Sequence, residues 1–309
     1  MAKLTILVPA YNEEGCIFPF YEAVEPFLKK LSYETRYLFI DDGSKDKTLE
    51  EIKALREKDP RVNFISFSRN CGKEAAMDAG LKASINEDAV IMMDADLQHP
   101  PYLIPEMVKK MEEGYKIVYT RQKTRKGDSP FKKACAHAFY NVFNRYSDVR
   151  IEQSSKDYML MVKDVVKAFI SMPDEYRFTK GIFSFVGFKR YCLEFDFVKR
   201  EVGKTKWNFG KLLKYGISGL SQFSHVFLAV PLFVSIFSFL VAVLGCFFYG
   251  FHLIGLESYL IMLVGGILFS LTNLSLYWIL YVLYSTRRET MKRPLYFIEE
   301  SSFDGNENR

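Results

Sequence analysis

The chain has 309 residues, of which 49% are hydrophobic and 26% carry a formal charge, and its mean hydropathy is −0.04. These averages exclude an intrinsically disordered chain, a collagen-like repeat and a small disulfide-stapled scaffold. The net charge of +5 is too small to indicate a nucleic-acid partner, and none is expected. The five cysteines are widely spaced without a CxxC pair, which indicates reduced thiols.

The N-terminal part of the chain predicts alternating strands and helices. Four β-rich runs predict strands, at residues 4–9, 37–41, 62–67 and 89–94. Three stretches between them predict helices, at residues 17–31, 47–58 and 73–84. This rhythm is typical of an α/β fold with a doubly wound, mostly parallel sheet. Such sheets bind ligands outside the carboxyl ends of their strands, so the polar segments that follow the strands are the candidate site.

Two of these segments suit a nucleotide. VPAYNEE follows the first strand, where Tyr11 can stack on a base and Glu13 can accept a hydrogen bond from its edge. DDGS at residues 41–44 follows the second strand, and its carboxylates suit ribose hydroxyls or a base N–H. The alternatives are helix capping by Asn12 in the first segment, and a turn followed by a helix cap from Ser44 or Asp46 in the second.

The third polar segment, DADLQ, predicts a cation site. Residues i and i+2 of an extended segment point the same way, so the carboxylates of Asp94 and Asp96 are expected to converge. Converging carboxylates hold a hard cation such as Mg²⁺ or Mn²⁺. Such an ion neutralises a diphosphate and stabilises it as a leaving group. Paired acids at loop starts are also common as solvated turn residues, which is the alternative.

Basic residues suited to phosphate lie in two further segments. Arg121, Arg125 and Lys126 follow a predicted strand at residues 117–120. Arg200, Lys204 and Lys206 lie on a glycine-containing loop. Arginine binds phosphate oxygens in a bidentate manner, which favours phosphate or phospholipid recognition. Lysines that merely snorkel to a membrane interface are the alternative.

The C-terminal third predicts a membrane anchor. From residue 226 to residue 286 the only charged residue is Glu257, and basic residues flank this block on both sides. Residues 226–250 and 258–284 contain no charge and are each long enough to span a bilayer as a helix. The basic flanks predict that both termini are cytoplasmic. Residues 207–225 predict an amphipathic helix at the membrane surface, with packing against the N-terminal domain as the alternative.

Seven motifs occurring in this order resemble those of family 2 glycosyltransferases that make polyprenyl-phosphate sugars: VPAYNEE, FIDDGSKDKT, SRNCGKEAAMDAGL, MDADLQHPP, YTRQKTRKGDS, REVGKTKW and RPLYFIEE. The chain is most similar to the bacterial undecaprenyl-phosphate glucosyltransferase type, which is related to dolichyl-phosphate mannose synthase. The resemblance covers roughly residues 3–300. It implies the nucleotide-sugar-binding fold called GT-A.

The resemblance also implies roles for individual residues. The implied nucleotide-sugar contacts are Pro9, Tyr11, Glu13, Ile40, Asp42, Asp94, Ala95, Asp96 and Arg121. Metal ligands would be Asp94, Asp96 and Gln98, with Arg200, Lys204 and Lys206 on the acceptor phosphate. Asp96, Asp157, Arg200 and Lys206 are the implied catalytic residues. The chain has Met159 where the family often has arginine, so a role carried by that arginine is not transferred.

We therefore expect an inverting transferase of four parts: a GT-A domain at residues 1–206, an interface helix at 207–225, a transmembrane hairpin at 226–286 and a cytoplasmic tail at 287–309. It is expected to move a hexose, with glucose from UDP-glucose favoured, onto undecaprenyl phosphate at the inner (plasma) membrane. Mg²⁺ or Mn²⁺ is the expected cofactor. A homo-oligomer is expected, and the polar end at residues 301–309 is expected to be disordered.

Three other functions use parts of the same pattern. GDP-mannose or another nucleotide sugar would employ the same motifs. A processive polysaccharide synthase shares the nucleotide half, but it typically carries a QxxRW motif, and neither Trp207 nor Trp278 follows an arginine. A non-catalytic membrane protein, such as a nucleotide-sugar sensor or an assembly partner, is disfavoured by the DAD motif together with both basic segments.

Overall fold

A computed structural model describes residues 1–123, 140–141, 143–145, 147, 155–172, 179–196, 257–290 and 294–303. Several predicted features lie outside the described residues: Arg125, Lys126, Arg200, Lys204, Lys206, the interface helix at 207–225 and the first span at 226–250.

The described residues form one mixed sheet of eight strands in the order β7-β5-β6-β4-β1-β2-β3-β8. The strands are β1 (Lys3–Ala10), β2 (Glu34–Asp41), β3 (Val62–Phe67), β4 (Ala89–Met92), β5 (Ile117–Gln122), β6 (Ser155–Val162), β7 (Arg190–Phe195) and β8 (Ile298–Ser301). β1 to β4 are parallel to their neighbours within that group, and β5 is parallel to β7. β6 and β8 run antiparallel to the strands beside them. The five predicted strands, at residues 4–9, 37–41, 62–67, 89–94 and 117–120, are confirmed as β1 to β5, and β4 ends at Met92, so Asp94 belongs to the loop.

The α-helices with defined bounds in the described part of the chain are α1 (Ile17–Leu28), α2 (Thr48–Lys58), α3 (Lys73–Ala83), α4 (Ile104–Glu112), α5 (Lys163–Ser171), α6 (Thr179–Phe185) and α7 (Glu257–Thr290). The three predicted helices correspond to α1, α2 and α3. In α1 the buried residues Ile17, Phe20, Val24 and Leu28 recur at helical spacing, so one face of this helix packs on the sheet.

Apolar side chains fill both faces of the sheet. Successive residues of a strand point to opposite faces, so Ile6 of β1 packs with the cluster under α1, α2 and α4, whereas Leu7 packs with the cluster under α3, α5 and α6. Gly80 lets α3 approach β1 closely, since a Cβ at this position would lie 2.0 Å from Leu7 Cδ1. Helices on both faces confirm the predicted doubly wound α/β arrangement.

The antiparallel strand β6 forms part of the sheet edge at which the candidate site lies. In β4 and β6, Ala89 pairs with Val162 and Met92 pairs with Met159. Two residues beyond this last pair on each strand come Asp94 and Asp157. The carboxyl end of β4 and the amino end of β6 therefore lie side by side at the sheet edge where β1, β2 and β3 also end.

The C-terminal segment returns to the sheet. β8 pairs antiparallel with β3, the Ser68 main-chain N–H donates to the Phe297 carbonyl (3.0 Å), and the Phe64 N–H donates to Ser302 Oγ (2.8 Å). Tyr296 stacks on Phe67 with ring centroids 4.6 Å apart. The expectation of disorder is therefore wrong for residues 301–303, because they hydrogen-bond along the edge strand.

The second predicted span lies within α7, which is 34 residues long. Helical structure is thereby confirmed for residues 258–284. Among the described residues, no helix is long and apolar enough to cross a membrane.

Candidate active site

The loops after β1 and β2 are joined by hydrogen bonds. The Asn12 N–H donates to Ser44 Oγ (2.9 Å), and the Lys45 N–H donates to Asn12 Oδ1 (2.8 Å). The Glu13 N–H donates to Thr48 Oγ1 (2.8 Å). Asn12 has a φ of +48°, a conformation that asparagine tolerates better than most residues. Asn12 therefore links the two loops, and helix α1 begins after Cys16 without a side-chain cap.

The two aspartates of DDGS hold neighbouring segments in place. Asp41 accepts from Ser66 Oγ (2.7 Å) and from the Ser44 N–H (3.2 Å). Asp42 accepts from the main-chain N–H groups of Cys71 (2.6 Å) and Gly72 (2.9 Å). Ser44 thus serves the loop connection, while Asp46, just before α2, accepts from the Thr48 N–H (3.1 Å) as the capping alternative predicted.

Burial governs the electrostatics of Asp42. The residue is 3% exposed, and this burial raises the pKa of its carboxyl group to about 6 from the ordinary 3.8. The N–H donors of Cys71 and Gly72 favour the charged form and offset part of that effect. Asp42 therefore positions the loop before α3 and titrates in a range that an enzyme encounters.

Gly43 allows the loop after β2 to touch the loop after β3. Its φ is +63°, and a Cβ at this position would lie 2.4 Å from the main-chain carbonyl carbon of Arg69. Glycine adopts this conformation without a steric penalty and leaves room for the neighbouring backbone. The two loops thus form one packed unit at the carboxyl edge of the sheet.

Lys73 joins two carboxylates at the centre of this edge. Its Nζ lies 2.6 Å from Asp94 Oδ1 and 2.8 Å from Asp157 Oδ2. Burial lowers the pKa of Lys73, but Asp157 and Asp94 outweigh burial and raise it above its ordinary value. Burial opposes ionisation of Asp94 as well, yet the charge of Lys73 lowers the pKa of that carboxyl group. Lys73 and Asp94 are therefore both charged at neutral pH.

His99 orients the loop that carries Asp94. The Asp94 N–H donates to His99 Nδ1 (3.0 Å), so this nitrogen must be unprotonated. Burial of the ring lowers the pKa of His99, which favours the same neutral form. The imidazole stacks on Tyr158 with centroids 5.1 Å apart, and Tyr158 Oη donates to the Pro100 carbonyl (3.1 Å). These contacts connect Asp94 to the strand that carries Asp157.

The rest of the DAD segment turns back on itself. Asp96 is 5% exposed and its Oδ1 accepts from the Gln98 N–H (3.1 Å), while Leu97 between them has a φ of +58°. The described residues contain no cluster of three or more His, Cys, Asp or Glu side chains arranged to hold a metal ion. The donor set of Asp94, Asp96 and Gln98 nevertheless consists of oxygen ligands alone, which fits Mg²⁺ or Mn²⁺. A cation there would share Asp94 with Lys73.

The remaining predicted contacts differ in how accessible they are. Tyr11, Glu13 and Pro9 are partly exposed near the ends of the first strand and its loop, whereas Ile40 and Ala95 are buried. Ile40 packs in the core under α3, where its side chain is closed to a ligand.

Arg121 lies near the end of β5 at the site edge of the sheet and forms an ion pair with Glu194. Both partners of this pair are about two-fifths exposed, so the pair contributes little to stability.

Sequence reasoning missed two residues of this site, Lys73 and His99. Both lie inside quoted motifs, Lys73 in SRNCGKEAAMDAGL and His99 in MDADLQHPP. Their roles depend on contacts with Asp94 and Asp157 that only the packing of β6 beside β4 creates.

Comparison with known proteins agrees with these features. Residues 5–164 match the model of the family described as Glycosyl transferase family 2. A prophage bactoprenol glucosyl transferase homolog of Escherichia coli (strain K12) is 36% identical over 307 residues, which cover 96% of this chain and 98% of that protein. A bactoprenol glucosyl transferase of Shigella phage SfV is 38% identical over 242 residues, covering 77% of this chain and 78% of that protein.

A solved structure also aligns with the chain. Glucosyl-3-phosphoglycerate synthase from Mycobacterium tuberculosis, in complex with Mn²⁺ and UDP-glucose, superposes with a TM-score of 0.46 at 17% identity. The superposition covers 71% of this chain and 78% of that chain. Similarity at this level says nothing about the substrates of the present chain. The family match over half of the chain and the two relatives establish that the chain belongs to glycosyltransferase family 2 and is a transferase.

Proposed function

We propose that this enzyme moves a hexose from a nucleotide sugar to a polyprenyl phosphate at the cytoplasmic face of the inner membrane. UDP-glucose is the favoured donor and undecaprenyl phosphate the favoured acceptor. The observation that carries the proposal is the pairing of Asp94 and Asp157 through Lys73 at the carboxyl edge of a family 2 sheet. The names of the two relatives, a bactoprenol glucosyl transferase and a homolog of one, support this sugar and lipid.

The nucleotide would bind over the first two loops. Tyr11 is partly exposed there and offers an aromatic face to a base, and Glu13 beside it offers a carboxylate acceptor. Asp42 is buried beneath residues 70–72, so its contribution is to hold the loop that delivers Lys73. The donor diphosphate would then lie toward Asp94.

The transfer itself needs little proton chemistry. An oxygen of the lipid phosphate attacks the anomeric carbon and forms the new C–O bond, while the bond from that carbon to the diphosphate breaks and UDP leaves with the bonding electrons. A phosphate monoester has a second pKa of about 6 and is largely a dianion at neutral pH. The attacking oxygen therefore carries no proton that a general base must remove. The configuration at the anomeric carbon inverts.

The protein positions charge around this reaction. Asp157, held by Lys73, orients substrate near the anomeric carbon. Mg²⁺ or Mn²⁺ bound by Asp94, Asp96 and Gln98 would supply positive charge to the leaving diphosphate. Arg121 would contact the donor phosphates, and Arg200, Lys204 and Lys206 the acceptor phosphate. Fixed charges of this kind stabilise a transition state because they need no reorganisation during the reaction.

The membrane part of the proposal rests on the charge-free stretch at residues 226–286 and on the basic residues that flank it. In α7 several large apolar side chains are exposed, among them Ile261 (72%), Tyr277 (61%) and Leu280 (63%). Apolar surface of this extent favours contact with lipid or with another copy of the chain. We propose a hairpin that places the site near the lipid head group, and a homo-oligomer.

Lipid extraction tests the proposed function. The full chain, purified in detergent, is incubated with undecaprenyl phosphate, Mg²⁺ or Mn²⁺, and one radiolabelled donor at a time: UDP-glucose, GDP-mannose or UDP-N-acetylglucosamine. The expected result is a labelled lipid from UDP-glucose, with Asp96→Asn about 100-fold slower. Lys116→Gln is the matched control, because Lys116 forms an exposed pair with Asp164 beside the opposite end of β5.

Other results would contradict separate parts of the proposal. Nucleotide binding without labelled lipid from any donor would indicate a sensor or an assembly protein. Labelled polymer would indicate a processive synthase. A wild-type rate for Asp96→Asn would overturn the metal assignment, and labelled lipid from GDP-mannose alone would overturn the choice of sugar.

A further inference from the structure

Lys73 is held at the active-site edge by the fold itself. It is the first residue of α3, directly after Gly72, whose φ is +99°. Asp42 binds the N–H groups of Cys71 and Gly72, and thereby anchors the main chain from which Lys73 projects. The position of the ammonium group follows from the connection between the loops after β2 and β3.

The carboxylates beside Lys73 outnumber its single positive charge. Asp94 and Asp157 bring two negative charges onto one ammonium group, and all three side chains are between 22% and 31% exposed. At such partial burial an ion pair is screened less than at the surface. Without Lys73 the two carboxylates would repel each other across the end of the β4–β6 pair.

We propose that Lys73 is a positioning residue that fixes Asp157 against Asp94 and sets the affinity of Asp94 for a divalent cation. This inference rests on the proposed function, since it takes Asp94 to be a metal ligand of the transferase. A dication on Asp94 competes with Lys73 for the same carboxylate and is repelled by its charge. Metal binding without nucleotide is therefore weak, and the negative diphosphate of the donor strengthens it.

The direction in which the metal affinity changes when Lys73 is replaced distinguishes this positioning role from a purely structural role. Loss of a structural lysine would disorder the site and weaken metal binding. Loss of a positive charge that competes with the metal for Asp94 would strengthen metal binding. For Lys73→Gln we expect Mn²⁺ alone to bind at least tenfold more tightly, while kcat for sugar transfer falls at least tenfold because Asp157 is no longer fixed.

The experiment titrates the full chain with Mn²⁺, without and with UDP, and follows free Mn²⁺ by electron paramagnetic resonance. Lys73→Arg keeps the charge, so its Mn²⁺ affinity should stay within threefold of wild type. Lys116→Gln removes a lysine from an exposed ion pair 2.8 Å long and should leave the affinity unchanged. Circular dichroism checks that each variant is folded.

The inference is overturned if folded Lys73→Gln binds Mn²⁺ as weakly as wild type or more weakly. It is also overturned if no form of the protein binds Mn²⁺ with or without UDP. Lys73→Met, which keeps an apolar stem, replaces Lys73→Gln if the latter does not fold. If neither neutral variant folds, a tenfold change in the affinity of Lys73→Arg contradicts the inference. Glycolipid formation by the wild type decides the proposed function independently of these titrations.

Discussion

Met92 of β4 pairs with Met159 of β6, and this antiparallel pair brings Asp94 and Asp157 to the same end of the sheet. The two aspartates come from segments more than sixty residues apart in sequence, and Lys73 reaches both. A shift of one residue in the register would turn every side chain of β6 to the other face of the sheet. The hydrophobic pairing of the two strands thus determines the geometry of the site.

Asp94→Asn should lower kcat about 100-fold, because the substitution removes a charge both from the predicted cation site and from the pair with Lys73. Initial rates of labelled glycolipid formation measure the effect. Asp164→Asn is the matched control, since Asp164 pairs with Lys116 on the surface, and its rate should equal that of wild type. An equal loss in both variants would show that the effect is not specific to the site.

His99→Ala should lower the free energy of unfolding by about 1–3 kcal/mol, because it leaves the Asp94 N–H without its buried acceptor. His99→Asn offers an amide oxygen in place of Nδ1 and should lose less. Urea denaturation followed by circular dichroism compares the two variants. A loss in His99→Asn as large as in His99→Ala would mean that stacking on Tyr158, and not the hydrogen bond, is the main contribution of His99.

Gly43→Ala should lower the free energy of unfolding by about 2–4 kcal/mol and raise the KM for the donor, because the new Cβ would clash with the Arg69 main chain. Gly114→Ala is the control: its φ of +92° is similarly unfavourable for alanine, but among the described residues no atom beyond its own chain neighbours lies within 4 Å of its Cβ position. Alanine at 114 should therefore cost only the backbone strain of about 1–2 kcal/mol. Equal losses at both positions would contradict the proposed loop packing.

The stability of the wild type relative to Asp42→Asn should depend on pH. The pKa of Asp42 is about 6 in the folded chain against an ordinary 3.8, so above pH 6 the folded state holds a buried carboxylate at a cost of about 3 kcal/mol. As the pH falls from 6 toward 3.8, the folded state takes up the proton first and this cost disappears. Wild type should thus gain about 2.4 kcal/mol relative to Asp42→Asn between pH 7 and pH 4.

Denaturation of both proteins across this pH range measures the difference. Groups that titrate in both proteins cancel in the comparison. A difference that is independent of pH would contradict the raised pKa, and a difference of opposite sign would mean that the loop donors outweigh burial.

Tyr296→Ala should lower the free energy of unfolding by about 2 kcal/mol, because the Tyr296 ring stacks on buried Phe67 and holds the chain leading into β8. Phe297→Ala is the matched control, since the adjacent side chain is 59% exposed and should matter little. Urea denaturation measures both. If the two variants were equally stable, the C-terminal segment would not contribute to the sheet through this contact.

Much of the fold could be predicted from local patterns. Short β-rich runs predicted β1 to β4, and the polar segments after them predicted the loops in which Tyr11, Asp42 and Asp94 lie. These predictions succeeded because the preference of β-branched and aromatic residues for strands and the carboxyl-edge rule act over short stretches of chain. The edge strand β8 was missed, because a polar, four-residue strand carries almost no periodic signal.

The sequence by itself determined the family, the alternation of strands and helices, and the block at residues 226–286 in which Glu257 is the only charged residue. These properties depend on residues that are close in sequence and on the order in which the motifs occur. Only the tertiary structure decided that Lys73 joins Asp94 to Asp157, that His99 holds the Asp94 main chain, and that the C-terminal segment closes the sheet beside β3. The reason is physical: each of these contacts joins separate segments through packing or hydrogen bonds, and what a lysine or a histidine does there depends on which charges the fold places beside it.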